Sequence, residues 1–434
     1  MKIGIISLGC CKNLVDTENL IGLLQQSKQE ITYNLNEAEA IIVNTCGFID
    51  PAKEEGINTI LEMAEYKQKK CRKLIVMGCL SERYYDQLVD ELPEVDRFIT
   101  LKQYNQLGTI LSEELNEKIA NDYGKCPQVL TGKPWMAYLK IADGCSNRCS
   151  YCAIPLIRGA YRSFDIDELV EQAKELALRG VKELNLIAQD TTRYGLDNYG
   201  ERRLLELLKR INEIDALHWI RVLYMYPDEI DNELIEGMAK LDKVLPYFDI
   251  PVQHGSNRML LAMNRRGTSE STIQLVDKIK ETFELPVLRT TMIVGFPTET
   301  LEDVEINHEF MKRVQWDRLG GFTYSKEEDT PSYELEDNIT QEEKERRYEE
   351  MMKLQESLVQ MKNESLIGKT LEVLVEKQDG LTGFYRGRSV FSAPDGIDGE
   401  VIFKSEEPIE FGTFVSVTIT RIKAHDFYGT RSIK

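Results

Sequence analysis

Three apolar runs in the first eighty residues each lead into a cysteine: Lys2–Ser7 into Cys10, Ala40–Thr45 into Cys46, and Lys73–Gly78 into Cys79. Runs so rich in Ile and Val, each followed by an amphipathic stretch such as Asp16–Gln26 or Pro51–Lys67, predict buried parallel strands with crossover helices. Ligands of open α/β sheets sit beyond the carboxyl ends of the strands. The three thiols are therefore expected at one edge, although 36 and 33 residues separate them. One strand-end cysteine is usually a small buried hydrophobe. Three in register read as a metal site.

A tighter set follows. Cys145-Ser-Asn-Arg-Cys149-Ser-Tyr-Cys152 places three thiols within eight residues, just past another apolar run. Iron–sulfur clusters normally take four thiolates, so three leave one iron open to a ligand that is not cysteine. A zinc knuckle is the rival reading, but no fourth Cys or His lies at zinc spacing. Nine cysteines, an odd number with no secretory signal, argue against a disulfide framework and for a reducing cytosol. Cys71 and Cys126 read as structural.

The middle of the chain repeats the strand–helix theme. Strands are expected at Trp135–Ile141, Glu183–Ala188, Trp219–Tyr224, Tyr247–Val252, Val287–Val294 and Leu319–Tyr324. Helices are expected at Asp167–Arg179, Leu204–Ile214, Asp231–Leu241, Glu270–Phe283 and Leu301–Val314. This stretch of about 195 residues is short of the ~250 of an eight-fold barrel, so an open partial (β/α)6 barrel is expected. A polar connector, Tyr104–Pro134, precedes it and a charged helix, Gln341–Leu366, leaves it. Five short strands then predict a small antiparallel, OB-like barrel: Leu371–Glu376, Gly383–Ser389, Glu400–Phe403, Phe414–Arg421 and Tyr428–Ile433. The fold class is α/β multidomain, divided at 1–125, 131–366 and 367–434. The composition, 42% hydrophobic and 29% charged, is that of a soluble protein. No apolar run approaches the ~18 residues of a membrane span, and Met1–Cys10 reads as a strand rather than a lipoprotein signal. Cytoplasmic location is expected.

The residues resemble a family along most of the chain. Ser7-Leu8-Gly9-Cys10-Cys11-Lys12-Asn13-Leu14-Val15-Asp16, Asn44-Thr45-Cys46 and Met77-Gly78-Cys79 are similar to the N-terminal domain of the radical S-adenosylmethionine (SAM) methylthiotransferases. Gly144-Cys145 through Cys152-Ala153-Ile154-Pro155-Leu156-Ile157-Arg158-Gly159 resembles their catalytic core, and the last domain resembles TRAM, their substrate-binding module. Ala188-Gln189-Asp190-Thr191-Thr192, Tyr247-Phe248-Asp249-Ile250-Pro251-Val252-Gln253-His254 and Phe322-Thr323-Tyr324-Ser325 resemble the branch acting on a ribosomal protein. The chain departs from the family at Cys11, where proline is usual. The family register keeps Cys10 as the ligand.

The resemblance implies two [4Fe-4S] clusters, one on Cys145, Cys149 and Cys152 and one on Cys10, Cys46 and Cys79. The first would cleave SAM to a radical that takes hydrogen from an aspartate β-carbon of a small-subunit ribosomal protein (the S-twelve protein). The second would hold the sulfur, which a second SAM methylates. A low-potential donor such as flavodoxin or ferredoxin is implied; the sulfur donor stays open. Tyr151 is expected to lend backbone groups to the SAM adenine or to pack at the barrel mouth. Gly295 and Pro297, ending the fifth strand, and Gln189, ending the second, are expected to contact SAM. Arg158 is read as a carboxylate ligand or a structural ion pair. His254 is read as reaching substrate or sulfur, or as a strand-end histidine that satisfies a backbone carbonyl.

Charge weighs on the substrate. The whole chain carries −19, and residues 368–434 hold nine Lys plus Arg against ten Asp plus Glu, a net of −1. A module gripping transfer RNA should be basic. The acidic stretches Asp395–Glu400 and Glu406–Glu410 suit a basic ribosomal protein, with nucleic acid met only as part of the ribosome; Arg421, Lys423, Arg431 and Lys434 gather near the end. Methylthiolation of a transfer-RNA adenosine is the alternative. A non-catalytic iron–sulfur carrier or redox sensor is the reading from another class.

Overall fold

Five parallel strands form the first sheet of the computed structural model, which describes residues 1–432. They are β1 (Lys2–Ser7), β2 (Glu30–Ile31), β3 (Ala40–Thr45), β4 (Lys73–Gly78) and β5 (Arg97–Ile99), in the order β2-β1-β3-β4-β5. Every residue of β3 is buried because both faces are covered. Ile42, Ile75 and Met77 pack with Leu20, Leu23 and Leu24 of the helix Cys11–Gln26. Ile41, Val43, Leu74 and Val76 pack with Ile60 and Met63 of the helix Asp50–Ala64. Connection order reverses between β1 and β3, and such a reversal opens a crevice at the carboxyl edge. β2 and β5, two and three residues long, are too short to show a period in sequence. The expected polar connector differs: its helix, Leu107–Leu115, is apolar, and Leu107, Ile110 and Leu111 complete this core.

The central unit holds six parallel strands in chain order, with a small antiparallel pair inserted. β6 (Met136–Lys140), β9 (Glu183–Ile187) and β10 (Trp219–Val222) form one sheet; β11 (Tyr247–Asp249), β12 (Val287–Val294) and β13 (Arg318–Thr323) form another. The inserted pair, β7 (Ala142–Asp143) with β8 (Arg162–Ser163), pinches shut the base of the loop that carries Cys145, Cys149 and Cys152. Across the seam, Ile220 bridges Val244, and the Met225 N–H donates to the Asp249 carbonyl at 2.8 Å. Among the described residues no pairing joins β13 to β6, so the barrel is open. Side chains alternate along each strand. Leu184, Leu186, Ile220, Val222 and Leu288 turn outward onto the helices. Glu183, Arg221, Tyr247 and Arg289 turn inward, where a complete barrel would place aliphatic layers.

The C-terminal barrel meets those inward charges. It closes in the order β14 (Thr370–Gln378), β15 (Tyr385–Arg388), β16 (Val401–Lys404), β18 (Asp426–Arg431), β17 (Phe414–Lys423). Four pairings are antiparallel, but β16 and β18 run parallel, a departure from the antiparallel expectation that the Greek-key path requires. Ile433 and Lys434 lie outside the described residues. Glu183 is gripped by Arg388 from β15 and by Arg221 from β10. Burial pushes the Glu183 carboxyl up, and the two guanidinia more than cancel this, leaving it below its usual range. Tyr247 donates to Asp398 at 2.5 Å, and Arg289 pairs with Asp395 at 2.7 Å. The acidic stretch Asp395–Glu400, expected to face a basic substrate, therefore gives its two aspartates to docking. Glu406, Glu407 and Glu410 remain exposed. The helix Gln341–Glu364 returns across β13, where a Cβ on Gly321 would meet Met351 at 2.7 Å. Among the described residues no helix is long and apolar enough to cross a membrane.

Candidate active site

The loop triad follows β7. Gly144 turns at φ +74°, and a Cβ there would strike the Ala160 carbonyl, so the chain can fold back only at a glycine. The Cys145 N–H donates to the Gly159 carbonyl at 3.0 Å, and Cys152 N–H to Cys149 O at 3.1 Å. Ser150 ties the loop to the helix Asn257–Ala262 and its end, its N–H donating to Met263 O and its Oγ to Ala262 O, both at 2.9 Å. Burial pushes Cys145 up to about 11, with Cys149 adding to it, and raises Cys152 further still. Cys149 Sγ lies 3.6 Å from Arg265 Nη1 and 3.6 Å from the Tyr226 hydroxyl. Thiols held neutral by burial become ligands when a metal's own charge deprotonates them.

The second triad is assembled from three strand ends. Cys10 caps the helix that begins at Cys11, Cys46 follows β3, and Cys79 opens a short helix after β4. Two glycines permit the convergence. A Cβ on Gly9 (φ +89°) would stand 2.7 Å from Cys46 Cβ; one on Gly78 (φ +101°) would strike Asn44 and lie 2.5 Å from the Thr45 carbonyl. Asn13 clamps the strand ends, its amide donating to Leu8 O at 3.1 Å and Thr45 O at 3.0 Å. Cys79 is buried and Cys10 exposed, so the triad has one open side. Burial drives Cys79 up to about 12 and raises Cys46 as well. The neighbouring thiols differ in setting: Cys10 is exposed, whereas Cys11 lies 3.5 Å from the Tyr224 hydroxyl. Cys71 and Cys126 lie in the two cores of the first domain, on the Lys73 and Asn19 carbonyls.

Arg158 joins the two triads. Its Nη1 donates to Asp143 at 2.9 Å, and its Nη2 donates to Asn13 Oδ1 at 2.6 Å and Asp16 at 3.1 Å. Asn13 Oδ1 also accepts from Cys79 Sγ at 3.5 Å. Lys140 pairs with Asp16 and, at 3.1 Å, with Asp143. The guanidinium is thus fully engaged by protein carboxylates and an amide. Among the described residues no three His, Cys, Asp or Glu side chains close on a single metal ion; thiolates on different corners of a cluster stand further apart than the ligands of one ion.

The other expected residues scatter. Tyr151 packs against Met259, Met263, Phe296 and Tyr324 at the barrel mouth. Gln189 Oε1, just past β9, is buried without a partner. Gln253, which sequence reasoning passed over, has the same orphaned Oε1 and a left-handed backbone at φ +75°. Two orphaned acceptors at strand ends suit the amino groups of SAM. Gly295 does not open to a ligand: its free face is closed by Lys344 of the exit helix, and its N–H donates to Glu299 at 2.7 Å. Pro297 is buried in the turn that follows. His254 cannot reach a substrate, because Nε2 meets Glu299 at 3.0 Å, Nδ1 accepts from Ser256 N–H at 2.9 Å, and the side chain is fully buried. Its partner Glu299 also binds Arg347 at 2.7 Å, so this histidine pins the exit helix. Lys12, Tyr224, Tyr226 and Arg265 were not anticipated. Only Lys12, next to the Cys10 motif, carried a signal in sequence.

Residues 2–100 match the uncharacterized protein family UPF0004, residues 139–311 the radical SAM superfamily, and residues 367–431 the TRAM domain. Among solved structures, the radical SAM methyltransferase TsrM from Kitasatospora setae aligns with a TM-score of 0.57 at 14% identity, over 76% of each chain. The cobalamin-dependent radical SAM enzyme OxsB aligns at 0.52 and 13%, over 83% of this chain and 56% of that one. These two share the fold. The ribosomal protein uS12 methylthiotransferase RimO of Acetivibrio thermocellus is 47% identical, covering 99% of this chain and 98% of its own. The proteins of that name from Caldicellulosiruptor saccharolyticus and Aquifex aeolicus are 45% and 44% identical, each over 99% of this chain and over 99% and 97% of their own. Likeness at that level over the whole length, with both cysteine triads in place, makes the chain a member of the RimO family of radical-SAM methylthiotransferases.

Proposed function

We propose that the chain inserts a methylthio group at the β-carbon of an aspartate in ribosomal protein uS12. The observation that supports it is two thiol triads, joined through Arg158 and Asn13, in a chain that matches relatives named for this activity from end to end. Bound to these triads, two [4Fe-4S] clusters with SAM would supply a carbon radical able to take hydrogen from an unactivated C–H bond, together with the sulfur that replaces it. Cys145, Cys149 and Cys152 would hold the first, with Arg265 and Tyr226 against Cys149. Cys10, Cys46 and Cys79 would hold the second, with Asn13 and Arg158 fixing its distance from the first. Gln189 and Gln253 would accept hydrogen bonds from SAM, and Tyr151 would wall the mouth. The C-terminal barrel would bring uS12 to the open side. Reduction calls for an external low-potential donor of flavodoxin or ferredoxin type, and a ribosomal substrate places the reaction in the cytoplasm.

Anaerobic reconstitution with iron and sulfide, then dithionite, SAM and small ribosomal subunits, tests this by mass spectrometry of the ribosomal proteins and of transfer-RNA digests. One methylthio group on a uS12 aspartate is the expected product. The same group on adenosine instead would overturn the substrate, and absence of SAM cleavage would overturn the chemistry.

A further inference from the structure

Lys12 is a largely buried lysine. It is 5% exposed, and its ammonium lies 3.0 Å from the centroid of the Tyr224 ring. Among the described residues no carboxylate pairs with it. A lysine so largely buried is normally paired or hydrogen-bonded. The surroundings sharpen the anomaly. Lys12 sits in the first turn of the helix Cys11–Gln26, whose dipole already makes that end positive. Asp249, an anion that feels the Lys12 charge, is occupied: it accepts the Tyr224 N–H at 2.9 Å and faces Arg289 Nε at 3.7 Å. Asp395 is held by Arg289 at 2.7 Å. A cation, an aromatic floor and a positive helix end therefore meet beside Cys10 and above the carboxyl ends of the barrel strands, and no carboxylate of the described residues pairs with them.

We infer that Lys12 binds the side-chain carboxylate of the aspartate that is modified. This rests on the function proposed above and gives it a recognition element. A carboxylate on the Lys12 ammonium would hold the adjacent β-carbon beside the strand-end triad, on the side where Tyr224 of the barrel lies. The adenine base carries no anion at the position a side-chain carboxylate would take. Lys12 is a positioning and specificity residue and takes no part in the bond changes.

The test uses the reconstituted enzyme and two fluorescent peptides of uS12 that span the modified position, one with the native aspartate and one with asparagine there. The wild type should bind the aspartate peptide about ten-fold more tightly, the order expected of one charge-assisted contact. Lys12→Met should bind both at the weaker affinity, and Lys12→Arg should restore part of the preference. A wild type that ignores the difference, or a Lys12→Met variant that keeps it, would sink the assignment. Loss of SAM binding in Lys12→Met would hand the ammonium to the cofactor's own carboxylate instead. Failure of both variants to take up iron would make Lys12 a folding residue and end the proposal. Wild-type enzyme that modifies uS12 without Lys12-dependent preference defeats this inference alone; wild-type enzyme that never modifies uS12 defeats the function beneath it.

Discussion

The two cysteine triads reach similar surroundings by opposite routes. Cys145, Cys149 and Cys152 come from one loop pinched at its base by a two-residue strand pair. Cys10, Cys46 and Cys79 come from three strand ends and meet only when a five-stranded sheet has formed around them. The first is a local site whose geometry is written in spacing. The second is a tertiary site whose geometry is a property of the sheet, and anything that disturbs the sheet edge should disturb it alone.

The largest effects should come from the ligands themselves. Cys145→Ala should abolish SAM cleavage, whereas Cys46→Ala should leave cleavage intact and abolish sulfur insertion; 5′-deoxyadenosine and the modified peptide are read in one assay. A result in which Cys46→Ala also stops cleavage would show the triads to be one unit. Arg158→Gln comes next, because it leaves Asp16 and Asp143 with Lys140 as their remaining cation. Removing one partner from a buried ionic set costs roughly 3–5 kcal/mol, visible as a fall in thermal midpoint, and the mutant should lose insertion before it loses SAM cleavage. Gly78→Ala should cost less stability while emptying the strand-end site, so that insertion is lost as in Cys46→Ala. Its φ of +101° with ψ of −159° is open essentially to glycine alone, at a strain of about 1–3 kcal/mol. The expected outcome is loss of about half the bound iron, all from the strand-end site, by metal analysis and EPR of the remaining signal. Cys11→Ser should be nearly silent. It faces Tyr224, so iron and sulfide content should stay at the wild-type level and stability should shift by less than about 1 kcal/mol. A drop in iron would put Cys11 among the ligands.

Sequence legibility follows the same divide. The expected strand Val287–Val294 and helix Leu301–Val314 match the structure residue for residue, because buried alternation and a Thr300 cap mark them locally. The placement of the loop cysteines is legible from spacing, and that of the strand-end cysteines from the repeated pattern that precedes each one. Roles that depend on distant partners were not. His254 looked available at a strand end, yet Glu299 arrives 45 residues later to take its Nε2. Gly295 looked like a ligand cradle, yet the exit helix lays Lys344 on it. Lys12 lies within the Cys10 motif, but its setting appears only once Tyr224 is brought beneath it. Tyr224 and Gln253 adopt left-handed backbones at φ +60° and +75°, which neither residue type announces.

The ion pair between Glu183 and Arg388 bears on how such proteins can be rebuilt. Because the C-terminal barrel completes the inner wall of the central one, the two were fitted to each other and cannot be exchanged as cassettes. Grafting a foreign C-terminal module to redirect the enzyme would leave Glu183 and Arg221 paired with each other, but would strip Glu183 of Arg388 and Arg221 of the Val390 carbonyl. A working chimera must carry its own counterparts of Arg388, Asp395 and Asp398, so retargeting is a redesign of a shared interior rather than a change of handle.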